Sequence, residues 1–408
     1  MSNMLKHQFP LDWEQCRLSQ AASFFSGGTP SRSNASYFGG NIPWVKTTDL
    51  NNSSILVTSE KLTQKGLMES SAKIIPSGAI VVAMYGGYKQ IGRTGMLAAE
   101  SSINQALTAI IPKKDKLTSK YLLYWLNHNI YLWRRFAASS RKDPNITKSD
   151  VTAFPVCLPP LPEQKKIAQI LSTWDRAIDQ LQSLIKAKTR RKHGLMQQLL
   201  TGKKRLPGYE GTWHDHKLSD LLEHTFRPVD WKPEDIYDLI SIRRRSNGIV
   251  RREKIAGKDY KTRDLHVIKS GDFLISKRQV SHGALAMVTP EFEGCHVSKE
   301  YTILTNQASD KLHMPYLGWL SRTSRFWWLT FVASNGVVKE KLIFAPKDFL
   351  KFTLKFPPTL KEQKAIAKVL DTTTREIATH QKQLDTIREQ KRGLMQKLLT
   401  GEIRVKTT

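Results

Sequence analysis

Five arginines crowd one short stretch of the chain, with Arg243, Arg244, Arg245, Arg251 and Arg252 flanking Ser246-Asn247-Gly248. A guanidinium presents a planar fork of donors that matches the O6 and N7 edge of guanine or a pair of phosphate oxygens. An Asn-Gly pair makes the tight turn needed to present it. Cations packed this closely repel one another unless an anion neutralises them, so DNA contact is the reading this segment favours, Asn247 included. Lys277, Arg278, Gln279 and His282 make a second cluster some thirty residues on, and Lys299 is a lesser candidate.

A differently built loop lies in the first half, Tyr85-Gly-Gly-Tyr88-Lys89-Gln90-Ile-Gly-Arg93. Its glycines let backbone approach a ligand, its tyrosines offer stacking faces, Lys89 and Arg93 reach phosphate or guanine, and Gln90 can pair bidentately with adenine. The other reading is a plain exposed hairpin loop. Upstream, Gly27-Gly-Thr-Pro-Ser31 and Tyr37-Phe-Gly-Gly-Asn-Ile-Pro-Trp44 lead to Lys46, Thr47 and Thr48. That trio mixes donors and acceptors suited to phosphate and base edges, or is an ordinary polar turn. Asn104, Gln105, Arg141 and Lys142 are secondary candidates, each equally readable as turn or surface.

Catalytic chemistry finds little support. A lone methyltransferase needs a spaced-glycine cofactor loop and a [DN]PP[YF] motif. Here Pro159-Pro160 follows Leu158, Pro357-Pro358 follows Phe356, and Phe25-Ser-Gly-Gly lacks the second spaced glycine. Asp150 with Glu163-Gln-Lys165, repeated as Asp348 with Glu362-Gln-Lys364, could be imagined as a metal-dependent nuclease set. Glu163, however, falls in the first turn of a helix, where a carboxylate suits the positive end of the dipole. His214-Asp-His216 lacks an evident third ligand, so no metal is expected. Cys16, Cys157 and Cys295 are odd in number and contain no CxxC pair, which points to buried free thiols.

The elements that must position these loops occur twice. Glu163-Gln-Lys165 recurs as Glu362-Gln-Lys364, and His193-Gly-Leu-Met-Gln-Gln-Leu-Leu-Thr-Gly202 as Arg392-Gly-Leu-Met-Gln-Lys-Leu-Leu-Thr-Gly401, both at an offset of 199 residues. Between a proline-rich lead-in and a terminal glycine, apolar residues step by four and three. The first copy carries Ile167, Leu171, Trp174, Ile178, Leu181, Ile185, Leu195 and Leu199; the second carries Ile366, Leu370, Ile377, Leu384, Ile387, Leu394 and Leu398. Such a seam runs about 57 Å at 1.5 Å per residue, too long for an ordinary globular helix. The two copies are therefore expected to pair as an antiparallel coiled coil with pseudo-twofold symmetry. The alternative is a pair of core-facing helices.

The preceding segments echo each other more faintly. Trp13-Glu-Gln-Cys-Arg-Leu18 answers Trp213-His-Asp-His-Lys-Leu218, Ile75–Val82 answers Ile268–Ile275, and Tyr121–Trp125 answers Tyr316–Trp319. Short β-branched strands, Ala79 to Met84 and Asp272 to Ser276, precede helical stretches from Ser119 to Phe136 and from Met314 to Phe331. The expected fold class is α+β, with recognition domains at 1–157 and 207–356 alternating with helical spacers at 158–206 and 357–408.

Bulk properties agree with a polyanionic partner. The 408 residues carry a formal charge of +28, every segment is net basic, and 40% hydrophobic residues suffice for a core in each domain. The run Lys186, Lys188, Arg190, Arg191 and Lys192 is either a solvated helix face or a contact with phosphate or partner protein. No apolar run reaches bilayer length and Met1 to Gln15 has no apolar signal core, so a cytoplasmic location without a membrane partner is expected.

The order of domain, Pro-Pro-Leu-Pro-Glu-Gln helix start, Gly-Leu-Met-Gln-Gln-Leu-Leu-Thr-Gly helix end, then the whole again, resembles the specificity subunit of Type I restriction-modification enzymes over essentially the entire chain. Gly27 to Ser31, the Tyr37 to Trp44 run and Asn104-Gln105 add to the likeness, whereas the second domain lacks the Gly-Gly-Thr-Pro-Ser start. The resemblance implies a non-catalytic subunit. Its two target-recognition domains would bind the halves of a split site in double-stranded DNA, with the helices setting the gap. Two methyltransferase subunits and restriction subunits would dock on it, and S-adenosylmethionine, ATP and Mg²⁺ would be bound by those partners rather than by this chain. A free-standing DNA-binding or RNA-binding protein is the alternative that charge and repeat also allow.

Overall fold

The computed structural model describes residues 9–87, 89–137, 145–336 and 342–406. Its two longest helices run Leu161–Leu199 and Leu360–Thr400. Each starts just after a proline pair, where a missing N–H costs nothing. Each is followed by a glycine in the left-handed region, Gly202 at φ +70° and Gly401 at φ +74°. The seam is the least exposed stripe: Ile167, Leu171, Leu199, Ile366, Leu370, Leu384 and Leu398 are buried. Trp174, Ile178, Leu181, Ile185, Leu195, Ile377, Ile387 and Leu394 are half-buried.

The chain divides into two compact units, Met1–Gln182 with Gln383–Thr408, and Ser183–Lys382. Within the first, the end of the second long helix lies against the start of the first in the opposite direction. Lys391 Nζ bonds Asp175 Oδ1 at 2.5 Å, while Leu398 and Leu399 join Ile167, Ala168 and Leu171 in one core. The second unit repeats the arrangement with the helices exchanged: Lys188 Nζ bonds Glu376 Oε2 at 2.8 Å, and Leu199 and Leu200 join Ile366, Ala367 and Leu370.

Each unit carries an α+β domain of matching plan. In the first, a five-stranded sheet is ordered Ala22–Ser26, Leu107–Pro112, Ile80–Ala83, Thr94–Leu97, Ser54–Ile55, beside a three-stranded sheet of Glu60–Leu62, Phe38–Val45 and Ser102–Ile103. In the second, a four-stranded sheet is ordered Leu222–Thr225, Tyr301–Asn306, Phe273–Ser276, Leu285–Met287. A further sheet holds Ile249–Ala256, Ile236–Ile242, His296–Ser298 and Leu265–Val267. A two-stranded ribbon closes each domain next to its long helix, Glu14–Arg17 with Pro155–Leu158 and His214–Lys217 with Thr353–Phe356.

The helical stretches are shorter than the sequence pattern implied. The first breaks after Ser119–His128, because Asn129 turns its Nδ2 back to the Trp125 carbonyl at 3.0 Å, and the chain continues through a 3₁₀ turn to Trp133–Phe136. The second breaks into Met314–Leu320 and Ser324–Val332, with Thr323 capping the new start through its hydroxyl, which accepts from the Phe326 N–H.

Candidate nucleic-acid interface

The repeated Glu-Gln motif turns out to be a clamp between domain and helix. Gln164 accepts from the Thr118 N–H at 3.0 Å and donates to the Lys116 and Pro159 carbonyls at 2.9 Å, fixing the start of Ser119–His128. Gln363 does the same for the second domain, accepting from the His313 N–H at 2.9 Å and donating to the Lys311 carbonyl at 2.8 Å. Both glutamines and both glutamates are buried. The carboxylates imagined as a nuclease set are dispersed into such roles: Asp150 caps Lys148–Ala153 by accepting from the Thr147 N–H, Asp348 pairs with Lys351, and Glu163 is taken by Arg404. His214 and His216 sit in the closing ribbon. The three cysteines are free and buried, as expected.

In the first domain the glycine-rich motif serves close packing. A Cβ on Gly27 would stand 1.9 Å from the Asn104 carbonyl oxygen, and one on Gly28 2.5 Å from Ser71 backbone. The Gly28 N–H donates to the Ile103 carbonyl and the Gly28 carbonyl accepts from Trp44 Nε1. Asn104 itself bonds the Val45 carbonyl through its N–H and receives the Leu107 N–H, making the turn between Ser102–Ile103 and Leu107–Pro112, with Gln105 exposed at its tip. Lys46 is less free than its sequence context implied: its Nζ bonds Glu60 Oε1 at 2.5 Å, and Arg32 bonds the other oxygen at 2.7 Å. These two cations, Arg32 first, hold the Glu60 carboxyl below its usual value. Thr47 and Thr48 begin a 3₁₀ turn, half-buried and exposed respectively.

The Tyr85 loop joins the antiparallel strands Ile80–Ala83 and Thr94–Leu97. Tyr85 and Lys89 are exposed at its tip. Arg93 folds back instead, donating to the Leu50 carbonyl and, at 3.0 Å, to Gln90 Oε1. The Gln90 amide oxygen is thereby engaged, and its NH₂ has no hydrogen-bond partner among the described residues. Gly92 at φ +76° packs so closely on Trp133 that a Cβ would come within 2.1 Å of the indole. Tyr88, Arg141 and Lys142 lie outside the described residues.

In the second domain two clusters far apart in sequence come together. The hairpin between Ile236–Ile242 and Ile249–Ala256 turns through Arg243 to Gly248 and docks on the loop between Phe273–Ser276 and Leu285–Met287. This loop occupies the same place in its sheet as the Tyr85 loop. The Arg245 N–H donates to the His282 carbonyl at 2.8 Å, the Ser246 N–H to the Gly283 carbonyl at 2.7 Å, and Arg244 Nε to Gln279 Oε1 at 3.1 Å. Trp327 Nε1 bonds Ser246 Oγ beneath. Asn247 is exposed and Gly248 adopts φ +83°, but Arg245 (φ +60°) and Ser246 (φ +51°) are left-handed as well. Non-glycine residues rarely adopt this conformation, and the docking bonds hold it here.

Not all five arginines are available, which corrects the picture of an unneutralised cluster. Arg251 is committed to Asp238, to the Glu291 carbonyl and to the face of Phe292, and Arg252 pairs with Glu253 at 3.1 Å. Arg278 pairs with Glu300, Lys299 with Asp264, and Lys277 donates to the Lys299 carbonyl. The exposed side chains of Arg243 and Arg245 have no carboxylate partner among the described residues. The sequence shows Gln164 and Gln363 as part of a repeated motif without revealing their clamping role, and Arg205 and Arg404, which recur at the same offset of 199 residues, were not singled out.

The family model described as Type I restriction modification DNA specificity domain matches residues 10–188 and, again, 210–389. The putative type I restriction enzyme MjaX specificity subunit of Methanocaldococcus jannaschii is 26% identical over 431 residues, covering 98% of this chain and 96% of that one. The EcoR124I/EcoR124II specificity subunit of Escherichia coli is 22% identical over 168 residues, 40% of this chain and 41% of its own. Among solved structures, a Type-I restriction-modification S subunit from M. genitalium superposes with a TM-score of 0.60 at 12% identity, over 99% of both chains. The HsdS subunit from Thermoanaerobacter tengcongensis gives 0.52 at 16%, over 98% of this chain and 99% of that one.

Proposed function

The chain belongs to the Type I restriction modification DNA specificity family, and from that premise we propose that it is the non-catalytic subunit that selects a bipartite DNA site for partner enzymes. The observation that carries this reading is the doubling: two domains of one plan present loops of different chemistry. One offers Tyr85, Lys89 and Gln90, the other Arg243, Arg245 and Asn247. A shared scaffold with unlike loops supports two different half-sites. Arginine forks in the second domain suit guanine, and the glutamine amide in the first suits adenine.

The clamps at Gln164 and Gln363 tie each reader to its long helix, so helix length converts into the number of unread base pairs between half-sites, as spacing does for dimeric readers. Linking two weak readers also raises affinity through effective concentration. Two methyltransferase subunits and restriction subunits would dock on this frame and bring S-adenosylmethionine, ATP and Mg²⁺. Double-stranded DNA is the nucleic-acid ligand and the cytoplasm the place of action. No described helix is long and apolar enough to cross a membrane.

The test is an assay of methyl transfer from labelled S-adenosylmethionine to genomic DNA. The purified chain alone is expected to give none, and the chain with its methyltransferase partner to give sequence-specific transfer. Turnover by the chain alone overturns the assignment. Tight sequence-specific binding to which no methyltransferase contributes favours a free-standing DNA-binding protein instead.

A further inference from the structure

The second domain carries an aromatic site that none of the motifs above includes. Phe226 follows the edge strand Leu222–Thr225 and, at 65% exposure, is the most exposed aromatic side chain among the described residues. An exposed phenylalanine forgoes up to about 1.5–3 kcal/mol of burial; a lone ring of this kind is common on protein surfaces, and what sets this one apart is its setting. Two imidazoles flank it, with centroids 4.2 Å away for His224 and 6.2 Å for His266. Their position follows from the fold. Phe226 lies where the chain leaves one sheet, and the next residues pair with Leu265–Val267 at the edge of the other, through Pro228 opposite His266 and the Val229 N–H to the Leu265 carbonyl.

The electrostatics of the patch narrow its partner. His266 Nδ1 accepts from the Arg227 N–H at 3.3 Å, so the ring is oriented as a neutral acceptor. Burial first, then the charge of Lys277, hold both imidazoles below their usual pKa. Several charges near it are paired, Arg227 with Asp272, Lys299 with Asp264 and Arg278 with Glu300, while Glu223 accepts from the Thr305 hydroxyl at 3.1 Å. Lys277 donates one N–H to the Lys299 carbonyl at 2.7 Å, has no carboxylate partner among the described residues, and keeps its remaining ammonium protons for another acceptor. From Lys277 the same loop runs on to Gln279, which holds Arg244 of the arginine turn. An apolar ring therefore continues a cationic surface, a combination that complements a nucleobase beside its phosphate and not an apolar protein face.

We propose that Phe226 is a DNA-contacting residue of the second domain, placing its ring against a nucleobase while Lys277 meets the neighbouring phosphate. This rests on the DNA-recognition reading above and extends the reading surface from the arginine turn across Lys277 to the sheet edge.

The experiment uses the full chain, alone and with its methyltransferase partner, against a pool of duplexes carrying a randomised segment, followed by affinity measurements on the selected duplex. Phe226→Ala is expected to weaken binding about tenfold, the scale of one lost base–aromatic stack, and Phe226→Trp to retain it. The slope of log affinity against log salt stays unchanged in Phe226→Ala, which removes no charge, and falls by about one in Lys277→Ala. Unchanged affinity in Phe226→Ala, with the parent binding, overturns the inference alone. So does a loss accompanied by a lowered melting temperature, or a loss of methyltransferase association with DNA affinity intact. A parent that selects no duplex in either form overturns the recognition reading and the inference with it.

Discussion

Glu163 and Arg404, 241 residues apart in the chain, form a bidentate ion pair, with Nε to Oε1 and Nη2 to Oε2 both at 2.8 Å. The same guanidinium reaches Asp12 at 2.7 Å, and Trp13 Nε1 bonds the glutamate from the other side. The second unit repeats the pair, Arg205 holding Glu362. In each unit the segment just beyond one long helix is thus fastened to the first turn of the other.

Removing the arginine strands a buried carboxylate. Arg404→Ala and Arg205→Ala are each expected to cost about 2 kcal/mol, and lysine at either position to recover only part, because an ammonium cannot make the fork. Urea unfolding of the full chain measures this; a change within about 0.5 kcal/mol shows the pair to be incidental.

Gly27→Ala tests whether the glycine-rich motif is a packing device. Its Cβ would overlap the Asn104 carbonyl, and backbone must move to admit it, at a cost of about 2 kcal/mol. With the methyltransferase partner present, sequence preference at the first half-site should degrade while the second half-site is kept. Equal degradation of both contradicts a local role.

The arginines of the second domain should separate into two classes. Arg243→Ala and Arg245→Ala are expected to weaken DNA binding by about 1–3 kcal/mol per lost base contact with melting unchanged. Arg251→Ala, which breaks the contacts to Asp238 and the Glu291 carbonyl, should lower the melting temperature and affect DNA less. Identical behaviour of all three contradicts the division.

Acidification should destabilise the protein in two stages. Burial is the leading cause that holds His224, His266, His296 and His313 below the usual imidazole value of 6.5. The unfolded chain then binds more protons than the folded one, so this contribution is complete above pH 6.5 and declines as pH falls below it. Asp12, Glu60, Asp264, Asp348 and Glu376 are lowered chiefly by hydrogen bonds from cationic partners. Their contribution is present above the usual carboxylate range and lost below it. Melting temperature against pH should be level near neutrality and fall from about 6.5, more steeply in the carboxylate range; a rise on going to pH 5.5 contradicts this.

The heptad seam made the long helices legible in sequence, because few other structures sustain such a period over that length. The segments at Tyr85 and Arg243 were legible as turns, since paired glycines and an Asn-Gly step announce a turn by type, and both join strands as that reading expects. What escaped was pairing across the chain. Arg251 looks like Arg243 in sequence, and only the fold puts Asp238 beside it. Gln164 reads only as one position of a repeated motif, and the fold is what brings the Thr118 N–H to it. Phe226 carries no motif, and its meaning lies in the two histidines that separate strands bring to it.

On the proposed reading this chain supplies the address and its partner the chemistry. Sequencing adenine methylation across the genome of a methylation-free host, expressing the chain with its methyltransferase partner, tests that most directly. The expected result is methylation at one bipartite motif with a fixed gap, absent when either protein is expressed alone. Methylation by the chain alone, or a motif that stays the same when the chain is left out, would contradict it.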